Sequence, residues 1–111
     1  EDFLTVNGGA SNPFINTQVI GLVDGMRRVP VLESGGVRVV RVLSEMEGDL
    51  IPEHTHEGDE VAYVVNGRAR IHIEGSGDFD LGEGEALLIP KGVRHWGSLS
   101  RDCVLIAFYH P

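Results

Sequence analysis

The sequence predicts an all-β domain, an antiparallel sandwich or barrel. Three observations carry this. Fifteen glycines and five prolines cut the 111 residues into short pieces. The pieces between them alternate, or run apolar with many β-branched residues, as strands do. No stretch sustains the 3.6-residue apolar period of a surface helix. A chain of this length fits one domain and buries a real but modest core.

The elements follow in chain order. Residues 1–16 read as an irregular arm, broken by Asn7-Gly8-Gly9 and Asn12-Pro13. The domain proper then occupies residues 17–111. Thr17–Val23 reads as a strand ending at Asp24-Gly25, and Arg28–Leu32 as a short strand that Pro30 marks as an edge. Val37–Leu43 is valine-rich and strand-like, with Arg38 and Arg41 inside it. Glu53–Glu57 is a further strand. Val61–Val65 runs into Asn66-Gly67, a two-residue hairpin signal. The expected return strand, Arg68–Glu74, alternates: Ala69, Ile71 and Ile73 share one face, and Arg68, Arg70, His72 and Glu74 the other. Gly75–Asp78 reads as a loop, Phe79–Leu81 as a brief pairing segment, and Ala86–Ile89 as an apolar strand stopped by Pro90. Cys103–Tyr109 is almost wholly apolar, which predicts burial on both faces, inside the barrel or against a partner subunit.

Bulk composition narrows the function classes. Apolar content of 41% and charged content of 23% are those of an ordinary soluble protein. No apolar run approaches the roughly 20 residues that span a bilayer. The formal charge of −8, from 17 acidic and 9 basic residues, repels polyanions, and Arg27-Arg28 is the longest basic cluster. Neither nucleic acid nor an anionic membrane is an expected partner. The chain opens at Glu1 rather than Met, and no secretory signal is visible. The single Cys103 cannot form an internal disulfide, which fits a reducing cytoplasm; it reads as a small buried apolar residue.

The chemistry concentrates in two blocks. The first is Gly48, five residues, His54-x-His56, three residues, Glu60, six residues, Gly67. Histidines two apart on a strand share a face. With a carboxylate downstream and His95 further on, they can close around one divalent metal. The second block, sixteen residues after Gly67, is Gly84, five residues, Pro90-x-Gly92, two residues, His95. Imidazole and carboxylate donors suit Fe, Mn, Ni, Zn or Cu alike. Four protein ligands leave one or two positions open, the mark of a catalytic rather than a structural metal.

These blocks resemble the two motifs of the cupin superfamily, Gly-x5-His-x-His-x3-Glu-x6-Gly and Gly-x5-Pro-x-Gly-x2-His-x3-Asn. One position departs: Leu99 stands where the second motif has Asn, which alters the expected polarity of a pocket wall but not the ligand set. With its flanking strands the resemblance covers residues 37–109. It implies a single-domain antiparallel jelly-roll β-barrel of six to eight strands, commonly a homodimer, with the N-terminal arm and the last strand as dimer contacts. It also implies one transition metal, iron favoured, on His54, His56, Glu60 and His95. The expected activity is that of a metal-dependent enzyme on a small polar organic molecule, a dioxygenase first. The alternatives are a non-redox isomerase, cyclase or lyase, a non-catalytic ligand-binding module, and a metal-stabilised structural protein.

Strand alternation extends the site expectation. Glu60 is a ligand, with a role as base as the alternative. Ala62 and Val64 share its inward face and, with Leu99, are expected against the substrate, while Tyr63 points away. Arg38 and Arg41 point to opposite faces, so one at most enters the pocket. Arg41 is the candidate contact for a substrate carboxylate, a solvated arginine being the plain alternative. Trp96 faces away from the metal, His72 lies on a polar face, and His110 is peripheral.

Overall fold

The structure, a computed structural model, describes residues 25–110. The arm at 1–16 and the strand expected at Thr17–Val23 lie outside the described residues. Among the described residues nine strands follow one another: β1 (Met26–Ser34), β2 (Val37–Ser44), β3 (Gly48–His54), β4 (Asp59–Asn66), β5 (Ala69–Ile73), β6 (Gly77–Leu81), β7 (Ala86–Ile89), β8 (His95–Leu99) and β9 (Val104–His110). They form a five-stranded sheet in the order β1-β2-β9-β4-β7 and a four-stranded sheet in the order β3-β8-β5-β6. Every pairing is antiparallel. This is the jelly-roll architecture: two sheets face each other and bury their inner faces.

Alternation explains which residues face in. On β5, Ala69, Ile71 and Ile73 are buried while Arg70 and His72 face out. There Arg70 forms a bidentate pair with Asp80 at 2.7 and 3.1 Å, and His72 stacks on Trp96 with ring centroids 4.2 Å apart. On β4, Glu60, Ala62 and Val64 are buried and Tyr63 is exposed.

Three expectations change. Asn66-Gly67 is not a hairpin. β4 pairs with β7 and β9, whereas β5 pairs with β6 and β8, so the chain leaves one sheet at this corner and enters the other. Gly67 serves the corner twice. Its φ is +86°, and a Cβ there would meet Ser100 Oγ at 2.7 Å and the Cys103 backbone at 3.0 Å. The two-residue hairpin lies instead at Gly35-Gly36, both at positive φ, between the paired Ser34 and Val37. Within the single chain the last strand buries only one face, so burial of the other is left to a partner subunit. β9 is central in its sheet, so Leu105 and Ala107 are buried while Phe108 on the opposite face is 41% exposed. Finally, β8 escaped the sequence reading, and β3 both starts and ends earlier than Glu53–Glu57.

β8 crosses the core at Gly97. A Cβ there would lie 2.5 Å from the Arg70 carbonyl oxygen and 3.4 Å from Ile71 Cα, atoms of the paired strand that cannot step aside. Gly97→Ala should therefore cost about 1–3 kcal/mol of stability. A urea melt checks it, and an unchanged midpoint would refute this account of β8 packing.

Candidate metal centre

Both sheets contribute to one point. His54, the last residue of β3, and His95, the first of β8, are register partners in the four-stranded sheet. Glu60 projects from β4 in the opposite sheet. His56 lies beyond the end of β3, in the connection to β4, so strand alternation does not place it. Its loop is held by a hydrogen bond from Gly92 N to His56 O at 2.8 Å. The four residues offer donor atoms that all lie within 4.8 Å of one another.

The donor chemistry fits a cation. His54 Nδ1 donates to the Pro52 carbonyl at 2.6 Å and His95 Nδ1 to the Val93 carbonyl at 3.0 Å. Each bond fixes the tautomer and leaves Nε2 bare on the neutral ring, the orienting arrangement usual behind metal-binding histidines. His54 Nε2 stands 3.0 Å from His56 Nε2. His56 Nε2 is 3.0 Å and His95 Nε2 3.5 Å from Glu60 Oε1. That oxygen is buried without a hydrogen bond of good geometry among the described residues. Neighbouring donors on a metal with bonds of about 2.1 Å stand about 3 Å apart and opposite ones about 4 Å, which this cluster matches. The set can hold one metal ion.

Electrostatics prepare the donors. Burial pushes the His54 pKa down to about 4, helped by its neighbours His95 and His56, so the ring is neutral near pH 7. Burial alone would push the Glu60 carboxyl up, but the imidazoles of His56 and His95 hold it at about 2. Burial also acts against the charged form of His95, yet the Glu60 carboxylate raises its pKa above the ordinary histidine value.

A cavity of about 50 Å³ opens beside the donors. That is room for a few water-sized groups. Its wall includes Ile51, Ala62, Ile89, Arg28 and Tyr109. Tyr109 was not singled out from the sequence. It continues the inward alternation of Leu105 and Ala107, and its ring sits 4.9 Å from that of His56. Burial pushes its phenol pKa up, so it stays protonated.

Several expected contacts fall elsewhere. Ala62 lines the cavity. Val64, one pleat further along β4, and Leu99, four residues along β8 from His95, are buried in the core and do not line it. Arg41 is exposed on the outer face, because Val40 and Val42 on either side point inward. The inward arginine of β2 is Arg38, whose guanidinium lies 4.5 Å over the Tyr109 ring. His72, Trp96, Tyr63 and His110 all lie away from the donors, His110 exposed at the end of β9.

His54→Ala and His56→Ala should each abolish metal binding, as read by metal analysis of the purified protein. Protons compete with metal for the same lone pairs. Affinity should thus fall as pH drops through the raised His95 value, measured against a competing chelator. In the metal-free chain the Glu60–His95 contact stabilises between the unfolded carboxylate value, about 4.5, and the raised His95 value. It is lost as pH falls toward 2 or climbs past His95. Leu99→Asn should keep the metal but lose about 1–3 kcal/mol, because it buries an amide among apolar side chains; an unchanged melting temperature would contradict the position of Leu99.

Comparison with known proteins agrees with this architecture. The cupin domain family model matches residues 42–109, more than half of the chain. Acireductone dioxygenase of Gluconacetobacter diazotrophicus is 30% identical over 87 residues, 68% of this chain and 49% of that protein. The chain thus spans about half the length of that curated relative. Among solved structures, an RmlC-like cupin from Shewanella frigidimarina superposes with a TM-score of 0.71 at 21% identity, covering 80% of this chain and 78% of the other. KdgF from Halomonas sp. gives 0.70 at 25% identity, covering 83% and 85%. With two facing antiparallel sheets, a three-histidine, one-glutamate cluster between them and a family match across both, the chain belongs to the cupin superfamily.

Proposed function

We propose that this cupin is a mononuclear metal-dependent enzyme, a dioxygenase acting on a small polar organic molecule. The observation that carries the reading is the convergence of three imidazole Nε2 atoms and Glu60 Oε1 beside a small cavity. Acireductone dioxygenases among the relatives support oxygen chemistry, and iron is the metal we favour for it. A bound metal supplies Lewis acidity and, when redox-active, electron transfer.

The chain's own residues supply the rest. Backbone carbonyls orient His54 and His95, so the donors are in place before any ligand arrives. Glu60, ionised and 7% exposed, contributes a fixed negative charge; ligation is its main role, and proton abstraction the second. Ala62 leaves space beside the donors. Ile51, Ile71 and Ile89 keep that space dry, which strengthens every charge interaction within it. Tyr109, protonated and packed edge-on against His56, gives the cavity wall a hydroxyl.

The same set would also serve an isomerase, cyclase or lyase: a metal held by the four donors would supply Lewis acidity, and Glu60 would move a proton. We further propose a homodimer, with the partly exposed Phe108 face of β9 in the contact, and a cytoplasmic location on the evidence of the lone, buried Cys103.

Metal analysis of protein purified with and without air, followed by spectroscopy on adding nitric oxide, separates these readings. About one iron per chain with a nitrosyl signal is the expected result. Zinc, manganese or nickel with no response would transfer the reading to the non-redox branch. No metal after reconstitution would refute a metal enzyme altogether.

A further inference from the structure

The cavity beside the donors has two kinds of wall. His54, Glu60 and His95 belong to the metal centre. Two further polar side chains, Arg28 and Tyr109, meet each other: Arg28 Nη2 donates to the Tyr109 hydroxyl at 3.0 Å. The rest of the wall is apolar. Ile51 and Ile71 come from β3 and β5 of the four-stranded sheet, and Val42, Ala62, Ile89 and Leu105 from β2, β4, β7 and β9 of the five-stranded one. The hollow therefore reaches from the donors into the space between the sheets, where Ala62, Ile71, Ile89 and Leu105 are each at most 3% exposed.

Ala62 accounts for the room. On the inner face of β4 it stands between Glu60 and Val64, and its register partner on β9 is Ala107. Two methyl groups side by side leave the volume that a Val or Ile would take. The space, about 50 Å³, suits about three or four atoms of carbon size. A hydroxyl or carboxylate placed there would leave water and meet only methyl and methylene groups, which costs about tenfold or more in affinity. An alkyl group gains instead, about three- to fourfold for each methylene taken out of water.

We propose that this hollow is a subsite for a short unbranched alkyl group of about three or four carbons, and that Ala62 sets its length. The molecule that fits is polar at one end only. Its oxygen or nitrogen atoms reach the His54, His56, Glu60 and His95 cluster, and its alkyl end points between the sheets. This rests on the reading of that cluster as a metal centre. Sugars and short dicarboxylic acids, polar at both ends, are disfavoured. Ala62 is a specificity-determining residue here, not a catalytic one.

Alkyl hydroxamates chelate iron, zinc, manganese and nickel alike, and they carry tails of chosen length to the site. In calorimetric titration of the metal-loaded protein, affinity should rise about tenfold from acetohydroxamate to butyrohydroxamate and no further for hexanohydroxamate. The analogue 3-hydroxypropionohydroxamate, with a hydroxyl in place of the last methyl, should bind about tenfold more weakly than butyrohydroxamate. Ala62→Val should hold the gain from acetohydroxamate to butyrohydroxamate within about twofold, whereas Ile89→Val should move the tightest probe one methylene longer. Metal content should be unchanged in both variants. Opposite effects on tail length cannot both come from a loss of stability. Xenon, which needs no metal, should shift the NMR methyl signals of Ala62, Ile71 and Ile89 in the metal-free chain. Affinity that ignores tail length, a hydroxyl tail that binds as tightly as butyrohydroxamate, or a length preference unmoved by both variants would overturn the proposal. Wild type that takes no metal would instead refute the metal reading, and the xenon shifts then decide the subsite alone: their absence overturns it.

Discussion

The His54 and His56 Nε2 atoms meet at 3.0 Å, and with the His54 Nε2 lone pair bare that contact is favourable only with a proton on His56 Nε2 or a cation between them. The rest of the site answers this constraint. The Pro52 and Val93 carbonyls hold the protons of His54 and His95 on the far side of each ring. Burial keeps His54 neutral, and Glu60 brings negative charge from the opposite sheet. A proton satisfies that one contact. A metal cation would satisfy all four donors, and the surrounding strands hold them at a spacing that suits one. Rigidity matters here because a relaxed loop would let the rings rotate apart.

The fold and the donors were legible in the sequence for a definite reason. Alternation on β4 and β5 is strict, and motif spacing fixes which residues meet even when their strands are unknown. What failed was everything that depends on pairing. Asn66-Gly67 has the local chemistry of a hairpin turn, yet the same positive φ serves a corner between sheets, and only the partners of β4 and β5 distinguish the two. Arg41 and Arg38 differ only in which face the register turns inward. Leu99 stands at a motif position but at the far end of β8 from His95, so its motif spacing did not predict its surroundings. Tyr109 was hidden in an apolar run whose alternation becomes visible only once β9 is known to have one buried face.

Charge is distributed unevenly between outside and inside. The chain is acidic overall, whereas Arg28, which lines the cavity, and Arg38, packed over the Tyr109 ring, lie beside a buried phenol. A net negative charge disfavours polyanions, and these two arginine charges lie toward the inner face of the sheet rather than adding to that exterior.

The two ends of that barrel differ in kind. At the end opposite the donors, Ser44 Oγ donates to the Ser100 carbonyl at 2.6 Å and accepts from Cys103 N at 2.8 Å, while Gly67 fills the space against Ser100 and Cys103. This stitching ties β2, β4, β8 and β9 together where the chain passes from sheet to sheet. Among the described residues that end is closed by hydroxyl and backbone groups, and the cavity lies toward the histidines at the other.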